Sequence, residues 1–360
     1  MTQDGRRKPA VTGRTRAPSM ADVAALAGVS AQTVSRVANN RTNVDDTTRE
    51  RVLNAMRMTG YRPNTAARAL ATGRFRTIGV ISFDLQAHGN ARTLESIVSA
   101  VQHSDYSVSI VTVQNQTEQA VREAFERLTT QAVDGIILNE AQILDTPALR
   151  LPPGLPVVVN DGDGTHRYAA VHTDQAEGAR LAVRHLLDLG HRTVWHLAGP
   201  QDSYPARGRA SAWHQILKEA DCPVPPALYG DWTADSGYRV GREIAHRPDI
   251  GAVFVANDQM ALGLIRALHE AGRRVPDDVS VVGFDNIAES AHFLPPLTTI
   301  HQDFEEIGRH AVAMLLDQIQ AGRPPQVAVT SVAPRLIVRD STAPPNNSSS
   351  QQGRCTTLHT

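Results

Sequence analysis

Two groups of side chains in this 360-residue sequence have the types and spacing to do chemistry. The first is a set of polar residues at the ends of short β-branched runs: Asp84, Asn139, Asp161, Asn257 and Asp285. Carboxylates and amides in such places exchange hydrogen bonds with ligand hydroxyls. Arg207 opens the helical stretch after the run at 193–198, and the Trp232 ring can stack on the apolar face of a pyranose. Asp161 and Asp285 also have the chemistry of an acid–base pair, so a sugar-processing enzyme is a rival to a sugar-binding site. The second group lies near the N-terminus, where Gln32 and Arg36 share one helix face with Ala31, Ser35 and Asn39. Glutamine can bond adenine and arginine can bond guanine bidentately in a major groove, while Thr33 and Ser35 suit phosphate or base contacts. Other chemistries find little support. The 14 histidines fall in no metal-ligand spacing, and neither a phosphate-binding glycine loop nor a Ser or Cys nucleophile motif occurs. Two cysteines, Cys222 and Cys355, exclude a disulfide framework and a cysteine zinc site.

The elements that position the N-terminal group are short. Ser19 suits the cap of a helix over 20–27, with Val23, Ala24 and Leu26 or Ala27 inward. Gly28 and Val29 make a tight turn, and Ser30 caps a second helix over 31–38 with Val34 and Val37 inward. A third helix from about 46 to 59 starts at Asp45, turns Val52, Leu53, Ala55 and Met56 inward, and stops at Gly60. Two short helices joined by a glycine turn and buttressed by a third make a helix-turn-helix unit. Its N-terminal ends, Ser19 among them, favour phosphate. Beyond Pro63, Asn64 can cap a small apolar helix containing Ala67 and Leu70. A leucine such as Leu70 can wedge between base steps in a minor groove, or the helix is a plain linker.

From Thr77 the period changes. Apolar runs at 77–83, 106–113, 133–138, 156–160, 193–198, 251–256 and 279–284 alternate with helical stretches near 91–103, 118–131, 174–189, 207–220, 236–246, 258–272 and 303–321. This alternation predicts parallel sheets with crossover helices, and its length predicts two doubly wound subdomains. The expected boundaries are a disordered basic arm over 1–18, the reader over 19–62, a hinge and linker over 63–76, and the core over 77–340. Within the core, the first subdomain takes about 77–172 plus 303–330 and the second about 173–301 plus 331–340. The polar stretch 341–360 is expected to be disordered. Asp258 is expected to cap the helix that follows it.

Charge separates the same regions. Residues 1–76 hold 14 Lys and Arg against 5 Asp and Glu, whereas 77–360 hold 22 against 32. A head of +9 on a core of −10 is the electrostatic footprint of a nucleic-acid reader joined to something else. No apolar run spans a bilayer and no signal-like stretch opens the chain, so a cytoplasmic location is expected.

Asp22-Val23-Ala24, Ala27-Gly28-Val29-Ser30, Thr33-Val34-Ser35-Arg36-Val37, Thr48-Arg49 and Pro63-Asn64 with Ala67-Arg68 and Leu70-Ala71 together resemble the lactose-repressor (LacI/GalR) family of bacterial transcription regulators. The likeness continues through Val255-Ala256-Asn257-Asp258-Gln259-Met260, Val281-Val282-Gly283-Phe284-Asp285 and Pro296-Leu297-Thr298-Thr299-Ile300 to Gln302-Asp303, about 19–340 in all. The resemblance implies a DNA reader, a hinge helix that orders on DNA, and a dimeric core like a periplasmic binding protein that takes a small effector. It implies base reading by Gln32 and Arg36, and minor-groove entry by Leu70. It further implies sugar contacts from Asp161, Arg207, Asn257 and Asp285, with Gln302 and Phe304 lining the pocket or its crossover. Gly230-Asp231-Trp232-Thr233, Ala206-Arg207, Ala212-Trp213-His214 and Ile300 to Phe304 are most similar to the lactose-responsive branch, which implies a β-galactoside or related β-glycoside. Ala31 and Thr173 depart from that branch, which carries tyrosine and a pocket phenylalanine there. Ligand-induced release from the operator is the expected sign, and corepression is the alternative; a sugar-binding protein without a DNA role is a further rival, which leaves the basic head unexplained. Neither enzyme activity nor a cofactor is expected. A C-terminal stretch without apolar heptads predicts a dimer rather than a tetramer.

Overall fold

A computed structural model of the chain describes residues 17–39, 42–62, 69, 73–83, 85, 87–114, 117–139, 154–161, 168–322 and 327–346. It divides into two compact units that meet in sequence between Phe75 and Arg76. The sequence-predicted hinge residues Asn64, Ala67 and Leu70 lie outside the described residues, as does Asp84.

The first unit contains three helices: α1 (Met20–Ala27), α2 (Ala31–Ala38) and α3 (Asp46–Thr59). Ser19 and Asp22 form a reciprocal capping box at α1, and Ser30 accepts from the Thr33 amide at α2. Gly28 and Gly60 close α1 and α3 in the left-handed region, at φ 63° and 68°. Val23, Val34 and Val52 are fully buried at the centre, where each contributes about 1.5–3 kcal/mol of transfer energy. Ala27 turns inward while Leu26 is exposed. Leu53, expected inward, is 41% exposed, because Val52, Ala55 and Met56 already fill the side of α3 that meets α1 and α2.

The second unit holds two six-stranded sheets. The first has the order β11-β5-β4-β3-β1-β2 and the second β12-β10-β9-β8-β6-β7. In chain order the strands are β1 (Thr77–Phe83), β2 (Ser107–Val113), β3 (Gly135–Asn139), β4 (Val157–Asn160), β5 (Ala169–Thr173), β6 (Trp195–Ala198), β7 (Leu228–Tyr229), β8 (Ala252–Val255), β9 (Ser280–Asp285), β10 (Thr298–His301), β11 (Val329–Val332) and β12 (Arg335–Ile337). All neighbours run parallel except β10 and β12. Setting aside the late edge strands, both sheets repeat one doubly wound order, 2-1-3-4-5 counted within each sheet. Central strands such as Gly135–Asn139 and Val157–Asn160 are buried along their whole length, as helices on both faces require. The predicted two-sheet α/β core is thus the observed one.

The chain crosses between the sheets three times, at 173–175, 301–304 and 332–335. The strands β5, β7, β10, β11 and β12 were not anticipated; they are short, and several border on polar sequence. The expected disorder from Ser341 onward is also corrected for 341–346. Ser341 is fully buried, donates to the Val281 carbonyl at 2.6 Å, and accepts from the Thr298 amide at 2.8 Å. Its hydroxyl bridges the interior neighbours β9 and β10 where their pairing begins, which outweighs the polar composition. No helix among the described residues is long and apolar enough to cross a membrane.

Candidate functional site

In open α/β sheets ligands bind beyond the carboxyl ends of the strands, at the point where strand order reverses. A cleft lies there, lined from both sheets. His88, Gly89 and Asn90 follow β1, Asp161 follows β4, and Gln175 follows β5. Pro205 and Arg209 follow β6, Trp232 follows β7, and Asn257 follows β8. Asp285 ends β9, while Gln302 and Phe304 follow β10.

Arg209 is the organising charge. It is 4% exposed, donates through Nε to Gln175 Oε1 at 2.8 Å and through Nη1 to the Ala256 carbonyl, and lies 3.8 Å from Asp285 Oδ1. Its guanidinium sits 3.6 Å over the Phe284 ring, which adds a cation–π contact in a desolvated setting. Burial raises the Asp285 carboxyl above its ordinary value, opposed by Arg209, by His88 and by Gln302 Nε2 donating at 2.7 Å. Burial likewise pushes Asp161 up to about 6, opposed by the Thr173 amide, Arg209 and Gln175. The site therefore holds two carboxylates against one fixed cation. It suits a neutral ligand with several hydroxyl donors and disfavours an anion.

Backbone strain is concentrated here. Asp161, Trp232 and Asp285 have φ of 47°, 73° and 107°, all left-handed and costly for side chains other than glycine. The Trp232 conformation is fixed from two sides. Asn257 Nδ2 donates to its carbonyl at 3.0 Å, and at Gly199 any Cβ would collide with its ring. Phe304 meets His88 edge to face at 6.0 Å between centroids.

In the head, the outward face of α2 presents Ala31, Gln32 and Arg36 as exposed residues, with Thr33 and Ser35 half-buried. Thr33 shares a hydroxyl bond with Ser30, and Asn39 donates to the Ser35 carbonyl at 2.8 Å as it closes the helix. Ser19, half-buried, is engaged with Asp22.

The segment 19–64 matches the model for bacterial regulatory proteins of the lacI family, and 183–342 matches that for the periplasmic binding protein-like domain. The chain is 38% identical over 339 residues to the lactose operon repressor of Escherichia coli strain K12, across 90% of this chain and 91% of that one. The chain belongs to the lacI family. It is 33% identical over 326 residues to the HTH-type transcriptional repressor PurR of Pasteurella multocida strain Pm70, across 89% and 97% of the two chains. A crystal structure of the lac repressor dimer bound to operator and the anti-inducer ONPF matches with a TM-score of 0.81 at 34% identity, covering 91% of this chain and all of that one. As a lacI-family member the protein is a DNA-binding transcriptional repressor and not an enzyme.

Within this lacI-family site the structure gathers Asp161, Trp232, Asn257, Asp285, Gln302 and Phe304 into one cavity. It does not place Arg207 there. The helix begins at Tyr204 rather than at 207, and Arg207 is exposed. Two residues rotate the face by about 200°, so Arg209 points inward instead. Asp258 does not cap its helix either. Asn257 does, its Oδ1 accepting from the Met260 amide at 3.0 Å. Asp258 is wholly buried and accepts from the Ile287 amide at 2.9 Å and the Thr299 hydroxyl at 2.6 Å. Asn139 stands behind the lining, donating to the Asn90 carbonyl at 3.1 Å. Thr173 is buried and does not line the cavity, so no ring takes the place of the absent phenylalanine at that position. Sequence reasoning missed Gln175, His88, Asn90, Pro205 and Arg209. Among the described residues no cluster of three metal-ligating side chains occurs.

Proposed function

We propose that the protein represses transcription as a dimer on a pseudo-palindromic operator and leaves it when a neutral sugar fills the cleft. A β-galactoside or related β-glycoside is the best candidate effector. The observation that carries this reading is the pairing of Asp161 and Asp285 around the buried guanidinium of Arg209, with Trp232 and Phe304 as rings nearby. Carboxylates, amides and a guanidinium converging on one cavity are acceptors and donors for hydroxyl groups. Likeness to the lactose operon repressor favours a sugar, and the dimer on operator in its structure favours the same assembly here. In the head, Gln32 and Arg36 read base edges from α2, and Thr33 and Ser35 contact the backbone nearby. Asn64, Ala67 and Leu70 contribute the minor-groove element. The site of action is the cytoplasm, where operator DNA resides.

Corepression by a heterocycle is the alternative, favoured by likeness to PurR. A gel-shift titration on duplexes from the protein's own genomic neighbourhood separates the two. Release by β-galactosides or β-glucosides is expected. Tighter binding on adding ligand, or a response to purines alone, overturns the sugar-induction reading.

A further inference from the structure

Gln175 has no part in the sugar contacts inferred above, yet it is linked to Arg209, Gln302 and Asp161 among the groups that line the cavity. Its side chain is 6% exposed and lines the cavity. The amide oxygen accepts from Arg209 Nε at 2.8 Å, so the amide nitrogen is the group that faces Gln302 Oε1, at 3.4 Å. The same side chain lies near enough to Asp161 to favour its ionised form against the effect of burial. Gln302, with its oxygen so engaged, donates through Nε2 to Asp285 Oδ1 at 2.7 Å. Donation therefore runs in one direction, from Arg209 to Gln175, then to Gln302, then to Asp285. Reversing either amide breaks the series.

The two glutamines also stand at two of the three crossings between the sheets. Thr173 ends β5 of the first sheet, and Asp174 caps the helix Gln175–Asp188, which packs on the second. His301 ends β10 of the second sheet, and Asp303 caps the helix Phe304–Ala321, which packs on the first. The caps adopt nearly the same backbone, φ −68° and ψ 87° at Asp174 against φ −89° and ψ 78° at Asp303. Each carboxylate accepts from the amide three residues on, at 2.8 and 2.9 Å. The third crossing is tied in by the Asp174 amide, which donates to the Val332 carbonyl at 3.0 Å. Any rotation of one sheet against the other turns on these linkers and alters the spacing between Gln175 and Gln302. At 3.4 Å that bond is the longest in the series, close to the limit of a hydrogen bond, so a small rotation makes or breaks it.

We propose that Gln175 is a positioning residue that couples occupancy of the cleft to the angle between the two sheets. The proposal rests on reading the cleft as an effector site. A bound hydroxyl that draws Arg209 or Asp161 toward itself moves the Gln175 amide, and the amide then releases or tightens its hold on Gln302. The ligand shifts the two-state balance only by what it gains differently in each state. Gln175 is the group through which that difference reaches the crossings.

The test compares full-length wild type with Gln175→Glu, Gln175→Leu and Gln302→Leu. Glutamate keeps the acceptor for Arg209 and has no N–H for Gln302; leucine keeps approximate volume and loses both bonds. Operator affinity is measured with and without saturating methyl β-galactoside, lactose or cellobiose, and saccharide binding is followed by calorimetry. The ratio is taken within each variant, so any change in operator affinity itself cancels. Wild type is expected to show a ratio of about 5–150, the usual range of such coupling. Measured at saturating saccharide, whatever the affinity for it, both Gln175 variants should bring the ratio below about 2, and adding Gln302→Leu to either should lower it no further. A wild-type ratio retained in Gln175→Glu at saturating saccharide overturns the proposal. Further loss in the double variant does the same, because the two residues then act separately. A wild-type ratio of one with every saccharide, together with no calorimetric binding, removes the effector reading and this inference with it. Binding with a normal wild-type ratio, followed by no effect of Gln175→Glu, removes this inference alone.

Discussion

The outward face of α2 and the cleft between the sheets hold their polar groups in opposite ways. The side chains of Gln32 and Arg36 are exposed and make no hydrogen bond among the described residues. Arg209, Asp285 and Gln302 are buried and already bonded to one another. A reader of this kind completes its bonds only on a partner, whereas the polar groups of the cleft hold one another. The same residue type thus has different consequences in the two places. An exposed arginine affects recognition alone, and a buried one affects recognition and stability together.

The largest expected effect follows from removing Arg209. Arg209→Ala leaves Asp285 buried without its guanidinium and should destabilise the core by about 3–5 kcal/mol in urea unfolding, with loss of the saccharide response. Unfolding within about 0.5 kcal/mol of wild type would show that the cleft is as loosely held as the reader. In the head, Arg36→Ala should cost about 1–3 kcal/mol of operator affinity and relax preference at one base per half-site, with unfolding unchanged. Equal loss across all base substitutions at that position would make Arg36 a phosphate contact.

The smallest effect is on pH. Burial holds Asp161 up to about 6 in the folded chain, against 3.8 for the free group. The folded state therefore keeps this proton over a window in which the unfolded chain has released it, and the stability this group contributes declines as pH rises from about 4 to about 6. Ionised Asp161 is the better acceptor for ligand hydroxyls, so saccharide affinity should rise as pH passes through about 6, by up to about tenfold between pH 5 and 7. Asp161→Asn should flatten that profile, and a flat profile in wild type would take Asp161 out of ligand contact.

Much of this was legible in the residues. The three head helices, their caps at Ser19, Ser30 and Asp45, and the long apolar strands follow from local pattern, which acts within a few residues. The cavity acids were legible because strand ends are marked by polar residues after apolar runs. The site's central cation was misassigned from its neighbour, although the signal was present. Ala206, Arg209 and Trp213 share a helix face, all under 5% exposed, and Arg207 falls off that face. Gln175 carried no local mark, since its role depends on Gln302, 127 residues away. The edge strands and Ser341 were hidden for a related reason. Their partners are supplied by distant chain, and polar composition speaks only for the segment that contains it.

The triple passage of the backbone from one sheet to the other has a consequence for the gene. No uninterrupted reading frame encodes either half of the core, so neither half can be produced by cutting the coding sequence once. A stop codon placed ahead of Val329 would strip a border strand from both layers together. Truncation from that end is therefore expected to cripple the two lobes simultaneously rather than pare one away.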